Sequence, residues 1–176
     1  AEGSDVARGI ARERERLVPL REHADRILDT TAFTSHQLRE QLRSLFGHDA
    51  TSAALRLSLV SFGYKFGLPA DADVVWDVRF LPNPFYVDEL RPHSGLEENV
   101  AAYVMGSPLA RRFVDIALEF LVFALPEYER EGKSYLTVAI GCTGGRHRSV
   151  VLVETLRRML HERGIESAAR HRDVGR

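Results

Sequence analysis

The segment from Gly141 to Ser149 carries the strongest chemical signal in the chain. It contains two adjacent glycines, two arginines, a histidine and two hydroxyl side chains within nine residues. Backbone N–H groups are unpaired where a helix begins, and glycines allow them to close around an anion. Arg146 or Arg148 can add a bidentate fork, and Thr143 or Ser149 can add a hydroxyl donor. We therefore predict a site for a phosphate-sized anion, formed by Cys142, Thr143, Gly144, Gly145, His147, Arg148 and Ser149.

A strand-to-helix turn that needs glycine only for its geometry is the simpler interpretation of this segment. Gly144 and Gly145 alone would favour it. A turn selected for shape does not also require two arginines, a histidine and two hydroxyls, so the composition favours an anion site.

Cys142 and Arg148 also have the spacing found in the loop of cysteine-dependent phosphatases. In those enzymes a thiolate attacks phosphorus and the arginine holds the equatorial oxygens. The position before the cysteine, where such loops usually have histidine, is Gly141 here. No general acid can be singled out among Asp71, Asp73, Asp77 and Asp88. A phosphatase that uses Cys142 and Arg148 is therefore the alternative to a non-enzymatic binding function, and a small buried side chain is a third interpretation of Cys142.

A second group of candidate residues follows the first two predicted strands. Lys65 lies in SFGYKFG, and Arg79 and Asn83 lie in DVRFLPNPFY. Open α/β sheets bind ligands at the carboxyl ends of their strands, and two prolines hold Asn83 rigidly. For Lys65 and Arg79, contact with a ligand and an ion pair at the surface are equally compatible with the sequence. The aromatic neighbours are expected to be hydrophobic plugs: Tyr64, Phe66, Phe85 and Tyr86.

Basic residues are concentrated towards the end of the chain. The whole sequence has 24 basic and 25 acidic residues, but residues 142–176 have 8 basic and 4 acidic ones, whereas residues 49–141 have 8 and 13. A basic patch can neutralise nucleic-acid phosphates, and a solvated helix face is the alternative that the sequence alone favours. The candidate RNA-binding residues are Arg146, Arg170, His171, Arg172 and Arg176, with Arg157, Arg158 and Arg163 on the intervening helix.

Four segments have the pattern of strands that could position these residues. Residues 54–62 alternate apolar and polar side chains, DVVWDV follows, YLTVAIG is a continuous apolar run, and IESAAR is a shorter candidate. From Tyr135 onward the order is strand, glycine turn, helix and strand, which is typical of a right-handed βαβ unit. The sequence therefore predicts an α/β fold with an open, mainly parallel sheet flanked by helices.

Helical periodicity indicates further elements. We predict helices over residues 8–24, 97–105 and 108–128 and over SVVLVETLRRMLHER, which ends before Gly164. Residues 79–96 hold three prolines and are predicted to form a long loop. RILDT is a candidate strand, followed by a helix that Thr34 or Ser35 caps, with Leu38, Leu42, Leu45 and Phe46 on one stripe. For the helix from Pro108, the predicted buried face is Leu109, Phe113, Ile116, Phe120 and Phe123.

The remaining composition limits the class of protein. A single cysteine excludes a disulfide framework and fits a reducing compartment. No apolar run approaches the roughly 18 residues that span a bilayer, and the seven histidines lack metal-ligand spacing. We expect a cytoplasmic protein that uses neither a metal nor a membrane.

Four motifs together resemble the C-terminal domain of the RapZ/YvcJ family of bacterial RNase adapters and nucleotide-binding proteins. They are SFGYKFG, DVRFLPNPFY, RPHSG and YLTVAIGCTGGRHRSV. The resemblance implies a RapZ-like C-terminal domain over residues 53–176. It also implies that residues 1–48 are the C-terminal remnant of the family's N-terminal P-loop NTPase domain. Because no G-x-x-x-x-G-K-[ST] motif occurs, we expect no enzymatic activity and no cofactor here, and ATP or GTP would belong to that N-terminal domain.

The same resemblance implies a fold like the sugar-phosphate-binding part of phosphofructokinase. It implies a non-enzymatic, metabolite-sensing adapter that binds an amino-sugar phosphate such as glucosamine-6-phosphate at the CTGGRHRS turn, with Asn83 nearby. Small RNA, an endoribonuclease or another regulatory protein, and further copies of the chain in a homo-oligomer are the implied partners. The chain has Phe85 where enterobacterial members have histidine.

Overall fold

The computed structural model describes residues 3–34, 37, 38, 41, 42, 45 and 55–176. They belong to two compact units, Ala1–Thr51 and Ser52–Arg176. In the first unit, helix α1 spans Gly3–Glu22 and contains Pro19. The predicted strand RILDT is wrong, because these residues adopt no regular structure and Asp29 Oδ1 accepts the N–H of Thr31 at 2.9 Å in a local turn. A strand needs a pairing partner, which a five-residue pattern does not supply.

The predicted cap at Thr34 is confirmed. Its Oγ1 accepts the backbone N–H of Gln37 at 3.2 Å, and Gln37 Oε1 accepts the backbone N–H of Thr34 at 2.9 Å. This reciprocal pair is a capping box, which satisfies two otherwise unpaired donors at a helix start. Leu38, Leu42 and Leu45 are helical, whereas Ser35 and Phe46 lie outside the described residues.

The second unit is built on a four-stranded sheet. Its strands are β1 (Arg56–Gly63), β2 (Val74–Asp77), β3 (Tyr135–Cys142) and β4 (Ser167–His171). The order is β2-β3-β1-β4, and every neighbouring pair is parallel. This confirms the predicted α/β fold with an open parallel sheet. Because all strands run the same way, their carboxyl ends meet at one edge.

Three helices complete this unit: α2 (Glu98–Gly106), α3 (Pro108–Arg130) and α4 (Arg148–His161). The main core contains alternate residues of β1 and β3 with apolar residues of all three helices. Residues on the opposite side of the strands form a smaller cluster of Val60, Phe62 and Ala139. Among the described residues, no helix combines the length and apolar character needed to cross a bilayer.

The face of α3 that packs inward differs from the prediction. Four residues of the predicted face are exposed, with Leu109 at 50%, Ile116 at 49%, Phe120 at 39% and Phe123 at 71% of full exposure. Only Phe113 is partly buried. The helix has two apolar stripes, and periodicity alone cannot tell which one faces the core. The buried stripe contains smaller side chains and includes Ala110, Val114, Ala117, Leu118, Leu121, Ala124 and Leu125.

Candidate functional site

The predicted anion-binding segment lies where β1 and β3 end side by side. Gly63 is paired in register with Cys142, and the N–H of Lys65 donates to the carbonyl oxygen of Thr143 at 3.1 Å. The short 3₁₀ helix Tyr64–Phe66 that follows β1 therefore adjoins the CTGGRHRS turn. In open parallel sheets, ligands generally bind at this edge, where the strands have their carboxyl ends.

Glycine is required at this edge because two backbones touch. Gly145 has φ +74°, and a Cβ there would lie 2.5 Å from the nitrogen of Gly63. A Cβ on Gly63 would lie 2.5 Å from the carbonyl carbon of Gly144. No side chain fits at such distances, and a positive φ disfavours any residue but glycine. Close packing thus accounts for these glycines, and their presence does not by itself indicate anion binding.

Arg148 is directed at the main chain of the loop after β2. Its side chain is buried, and Nη1 donates to the carbonyl oxygens of Arg79 at 2.8 Å and Leu81 at 3.0 Å. Nη2 donates to Thr143 Oγ1 at 3.3 Å. Arg148 therefore joins the start of α4 to that loop, and most of its donors are occupied within the chain.

Arg146 makes a second connection of the same kind. Its Nε donates to the carbonyl oxygen of His93 at 3.1 Å and its Nη2 to that of Pro92 at 2.5 Å. In return, the N–H of Gly95 donates to the carbonyl oxygen of Arg146 at 2.8 Å. The proline-containing loop is thus ordered over the turn, a role of the two arginines that the sequence analysis missed.

The loop and the turn enclose a cavity of about 720 Å³. Seven of the predicted ligand-binding residues line it: Lys65, Asn83, Cys142, Thr143, Gly144, His147 and Arg148. Arg146 and Arg176, which are among the predicted RNA-binding residues, also line it, together with Phe66, Phe85, Tyr86, Arg91 and Pro92. Gly145 and Ser149 are buried and do not line the cavity. Arg79 lies outside the lining and forms a bidentate ion pair with Asp77.

The cavity is strongly cationic. Five of its lining residues carry a permanent positive charge, and none of the lining residues, all within the described part of the chain, is acidic. Arg91 has Asp88 as an ion-pair partner at 2.6 Å, and Arg176 lies 3.6 Å from Asp173. Within the described residues the Lys65 ammonium has no hydrogen-bond or ion-pair partner and lies 5.5 Å from the Phe66 ring centroid. A cleft lined by one sign of charge attracts the opposite charge, and Lys65 can neutralise it directly.

Two aromatic side chains at this cavity are more exposed than predicted. Phe85 is 50% and Tyr86 80% exposed, so neither is a hydrophobic plug. The cause is local: Asn83 Oδ1 caps the 3₁₀ helix Pro84–Tyr86, and this short helix buries only Pro84. The two rings therefore provide an apolar wall beside the cations.

Cys142 has contacts that would suit a thiolate. Its Sγ accepts the N–H of Gly145 at 3.2 Å and lies 3.2 Å from Ser149 Oγ. The side chain is nonetheless buried, and Arg148, its partner in the phosphatase-like spacing, is bonded to loop carbonyl groups. The geometry thus provides polar contacts to the sulfur, as the phosphatase alternative requires. The Arg148 guanidinium, which that alternative needs for holding phosphate, is bonded to the loop instead.

His147 is buried with its Nε2 unpaired. Burial lowers the pKa of His147 below its ordinary value of 6.5, the charges of Arg146 and Arg148 lower it further, and backbone carbonyl groups of His93 and Arg91 offset only part of this. His147 is therefore neutral at neutral pH and adds no charge to the cavity. Among the described residues, no group of three or more His, Cys, Asp or Glu side chains is placed to hold a metal ion.

The C-terminal basic residues have acceptors within the chain. Arg170 pairs with Asp71 at 2.8 Å, and Arg172 pairs with Asp173 at 2.7 Å. His171 lies between Ser61 Oγ at 2.9 Å and Glu154 Oε1 at 3.1 Å. Folding thus brings acidic groups to the basic segment, and RNA binding by these residues stays a prediction.

Two family models match this chain. Residues 55–175 match the family model described as the RapZ C-terminal domain, and residues 2–50 match that of the RapZ-like N-terminal domain. The chain belongs to the RapZ family, as its motifs predicted. Because of the second match, it carries N-terminal sequence of the family as well as the C-terminal domain.

Curated relatives support the same assignment. The chain is 48% identical over 174 residues to a nucleotide-binding protein of Moorella thermoacetica, covering 99% of this chain and 58% of the relative. It is 47% identical over 172 residues to one of Geobacter sulfurreducens, covering 98% and 60%. It is 51% identical over 172 residues to one of Saccharopolyspora erythraea, covering 97% and 59%. The chain thus spans less than two thirds of these relatives, which are named for nucleotide binding and not for a reaction.

Proposed function

We propose that the cationic cavity binds a phosphorylated small molecule and that the chain acts as a non-enzymatic, ligand-sensing adapter. The observation that carries this proposal is the charge of the lining, which has five permanent cations and no acidic residue among its described members. Like charges held together are costly unless an anion neutralises them. The volume of about 720 Å³ is in the range of small-molecule sites.

The groups in the cavity fit two parts of such a ligand. Lys65 supplies an unpaired ammonium, and the start of α4 supplies backbone N–H groups and the positive end of a helix dipole, with no side chain capping it. Phe85 and Tyr86 supply exposed aromatic faces that can pack against a sugar ring. An amino-sugar phosphate such as glucosamine-6-phosphate combines both parts and is the ligand we propose.

Titration calorimetry with glucosamine-6-phosphate tests this proposal. Lys65→Met keeps the length of the side chain but removes its charge, so we expect affinity to fall by roughly tenfold or more, as for loss of a charged hydrogen bond. Lys133→Met is a matched control, because Lys133 pairs with Asp73 away from the cavity. Unphosphorylated glucosamine should bind far more weakly than its phosphate. The proposal fails if the phosphate adds no affinity, or if Lys65→Met and Lys133→Met behave alike.

The contacts of Cys142 favour one alternative, a cysteine-dependent phosphatase. In that mechanism the Cys142 thiolate would attack phosphorus and displace the leaving group. The Gly145 N–H and the Ser149 hydroxyl would stabilise the negative charge of the thiolate. Assay of aryl phosphate hydrolysis discriminates the two functions. An adapter should show no turnover and should keep its ligand affinity in Cys142→Ser. Turnover that disappears in Cys142→Ser would replace the adapter by the phosphatase.

A further inference from the structure

A groove lies between α2 and α4, separate from the cationic cavity. Its volume is about 660 Å³, and none of its lining residues also lines that cavity. Each helix contributes side chains that are three, four or seven residues apart, which places them on one helix face. They include Glu98, Ala101, Ala102 and Met105 of α2 and Val151 and Arg158 of α4. We call this feature the α2–α4 groove.

The floor of the groove is apolar. Val151 is buried, and Ala101 and Met105 are partly buried against the main core. The loop before α2 closes one end, where the N–H of Gly95 donates to the carbonyl oxygen of Arg146 at 2.8 Å. A Cβ on Gly95 would overlap the backbone at the start of α4, so the two walls touch there. Because these contacts hold the walls together, the groove is already formed before a partner binds.

Helix α4 gives its wall of the groove a positive charge. Arg157 and Glu154 neutralise each other, since Arg157 Nη2 lies 2.8 Å from Glu154 Oε2. The other oxygen of Glu154 is occupied by His171 Nε2 at 3.1 Å. Arg158 is exposed, and its guanidinium forms no hydrogen bond or ion pair with the described residues. Within the described part of the chain, this wall therefore has an uncompensated positive charge at Arg158.

Helix α2 carries the opposite charge at its first turn. Glu98 is exposed, and its carboxylate has no ion-pair partner among the residues that the structure describes. It follows Gly95 by three residues, and Gly95 meets α4 close to Val151. Arg158 lies seven residues further along α4, or about 10 Å at 1.5 Å per residue. The groove thus has an acidic end near Glu98 and a basic end near Arg158.

We propose that the α2–α4 groove binds an amphipathic helix of another protein, with apolar side chains on the floor and an acidic side chain at Arg158. The groove follows the nine residues of α2. Their length of about 13 Å accommodates anchors at positions i, i+4 and i+7 of a bound helix. A basic side chain near the other end of that helix pairs with Glu98. Opposite charges at the two ends fix the direction of the bound helix and raise its association rate.

Fluorescence anisotropy with a synthetic helical peptide tests this proposal, which does not rest on the ligand of the cationic cavity. The probe is an alanine-based peptide of about 18 residues, long enough to be helical in water. It has leucine at positions i, i+4 and i+7, lysine beside the first leucine and glutamate beside the last. We expect saturable binding to the 176-residue chain. Replacing the leucines by serine should abolish binding, because the peptide then buries no apolar surface.

A charge exchange tests the contact at Arg158. Arg158→Glu should weaken binding of the probe by about tenfold, because it places like charges opposite each other. A peptide with lysine in place of the glutamate should bind this variant better than it binds the unsubstituted chain. Arg163→Glu is the matched control, because Arg163 is also exposed, just beyond α4, but does not line the groove. Equal effects of the two variants would contradict the proposed contact.

Filling the groove tests the contact with its floor. Ala102→Trp places a large ring at an exposed position of the lining and should abolish binding. Tyr103→Trp is the control, because Tyr103 is exposed on the same helix but lies outside the lining. Circular dichroism should show that both variants keep their fold, since both positions are exposed. Binding of the probe that ignores Ala102→Trp overturns the proposal.

Two further measurements exclude other occupants and other sites. Lys65→Met should leave binding of the probe unchanged, because Lys65 lines only the cationic cavity. Loss of binding in that variant would place the acidic peptide in the cavity, and absence of saturable binding to the unsubstituted chain would exclude a helix-binding groove. Sedimentation velocity of Ala102→Trp should match that of the unsubstituted chain. A change in self-association would assign the groove to a second copy, and this too overturns the proposal.

Discussion

The carboxylate of Asp173 accepts the backbone N–H of Gly63 at 2.8 Å, which ties the C-terminal segment to the end of β1. Asp173 is fully buried. Its Oδ2, which accepts the Gly63 N–H, also accepts two hydrogen bonds from the Arg172 guanidinium, at 3.0 and 2.7 Å. Arg176, three residues later, lines the cationic cavity. One buried carboxylate thus fixes the C-terminal wall of the candidate site against the glycine turn.

Asp173→Asn should destabilise the chain. Asparagine can still accept one hydrogen bond, but the charge that pairs with Arg172 is lost, which costs about 1.5–3 kcal/mol at a buried site. Asp71→Asn is the control, since the Asp71–Arg170 ion pair is largely exposed and contributes at most about 1 kcal/mol. Urea unfolding of both variants measures the difference. Equal stability of the two would show that burial of Asp173 does not matter.

Stability should decrease as the pH falls below about 6.5, because of His147. The pKa of His147 is lowered in the folded chain, chiefly by burial, so the unfolded chain takes up this proton first. The stability that neutral His147 contributes is therefore fully present above the pKa of this histidine in the unfolded chain. It is lost as the pH falls through the lower pKa of His147 in the folded chain. Unfolding free energies measured at pH values between about 7.5 and 5.5 should show this slope. In His147→Gln the slope should be smaller, whatever the absolute stability of the variant.

A second loss of stability should occur under acidic conditions, because of Asp173. Burial raises its pKa, but hydrogen bonds from Arg172 and the Gly63 N–H, with the nearby arginine charges, outweigh this and lower the pKa below the ordinary 3.8. The stabilising contribution is present above about pH 3.8 and is lost as the pH falls through the folded pKa. Acid unfolding of Asp173→Asn should lack this step. An unchanged acid transition in the variant would contradict the assignment.

Arg148→Lys should lower stability as well as alter the cavity. Lysine keeps the charge, but it cannot reach the carbonyl oxygens of Arg79 and Leu81 together with Thr143, as the planar guanidinium does. Loss of charged hydrogen bonds at a buried site predicts a cost of about 1.5–3 kcal/mol. Arg79→Lys is the control, because its ion pair with Asp77 is about half exposed. Thermal unfolding that shifts equally in both variants would mean that Arg148 does not order the loop.

Gly145→Ala should be far more destabilising than Gly164→Ala. Both glycines have nearly the same φ, +74° and +73°, so both variants pay the conformational cost of about 1–2 kcal/mol. Only at Gly145 would the added methyl group meet backbone atoms, whereas nothing lies within 4 Å at Gly164. Overpacking adds about 1–3 kcal/mol to the Gly145 variant alone. Chemical unfolding of the two variants measures how much the contact of residue 145 with the backbone of β1 adds to the loss of stability. Similar losses in both variants would show that the positive φ is the sole reason for glycine at position 145.

The sequence by itself predicted the features that depend on neighbours along the chain. Alternation and apolar runs located the four strands of the sheet, and the glycines after β3 marked the turn into α4. The cap at Thr34 was visible because its partner, Gln37, is three residues away. These features follow from backbone conformation and local hydrogen bonding, which short-range patterns record. The family motifs extended the prediction to the chain's membership of the RapZ family, which the comparisons confirm.

Only the tertiary structure decided which groups meet across long separations in sequence. Arg148 contacts carbonyl groups 67 and 69 residues away, and Arg170 meets Asp71 across 99 residues. An arginine in a glycine turn has the same spacing whether it faces a ligand or a loop, so the sequence could not separate those roles. The two apolar stripes of α3 have the same period, and only packing against the sheet selected the one with small side chains. Burial and charge pairing depend on distances in space, which the order of residues does not specify.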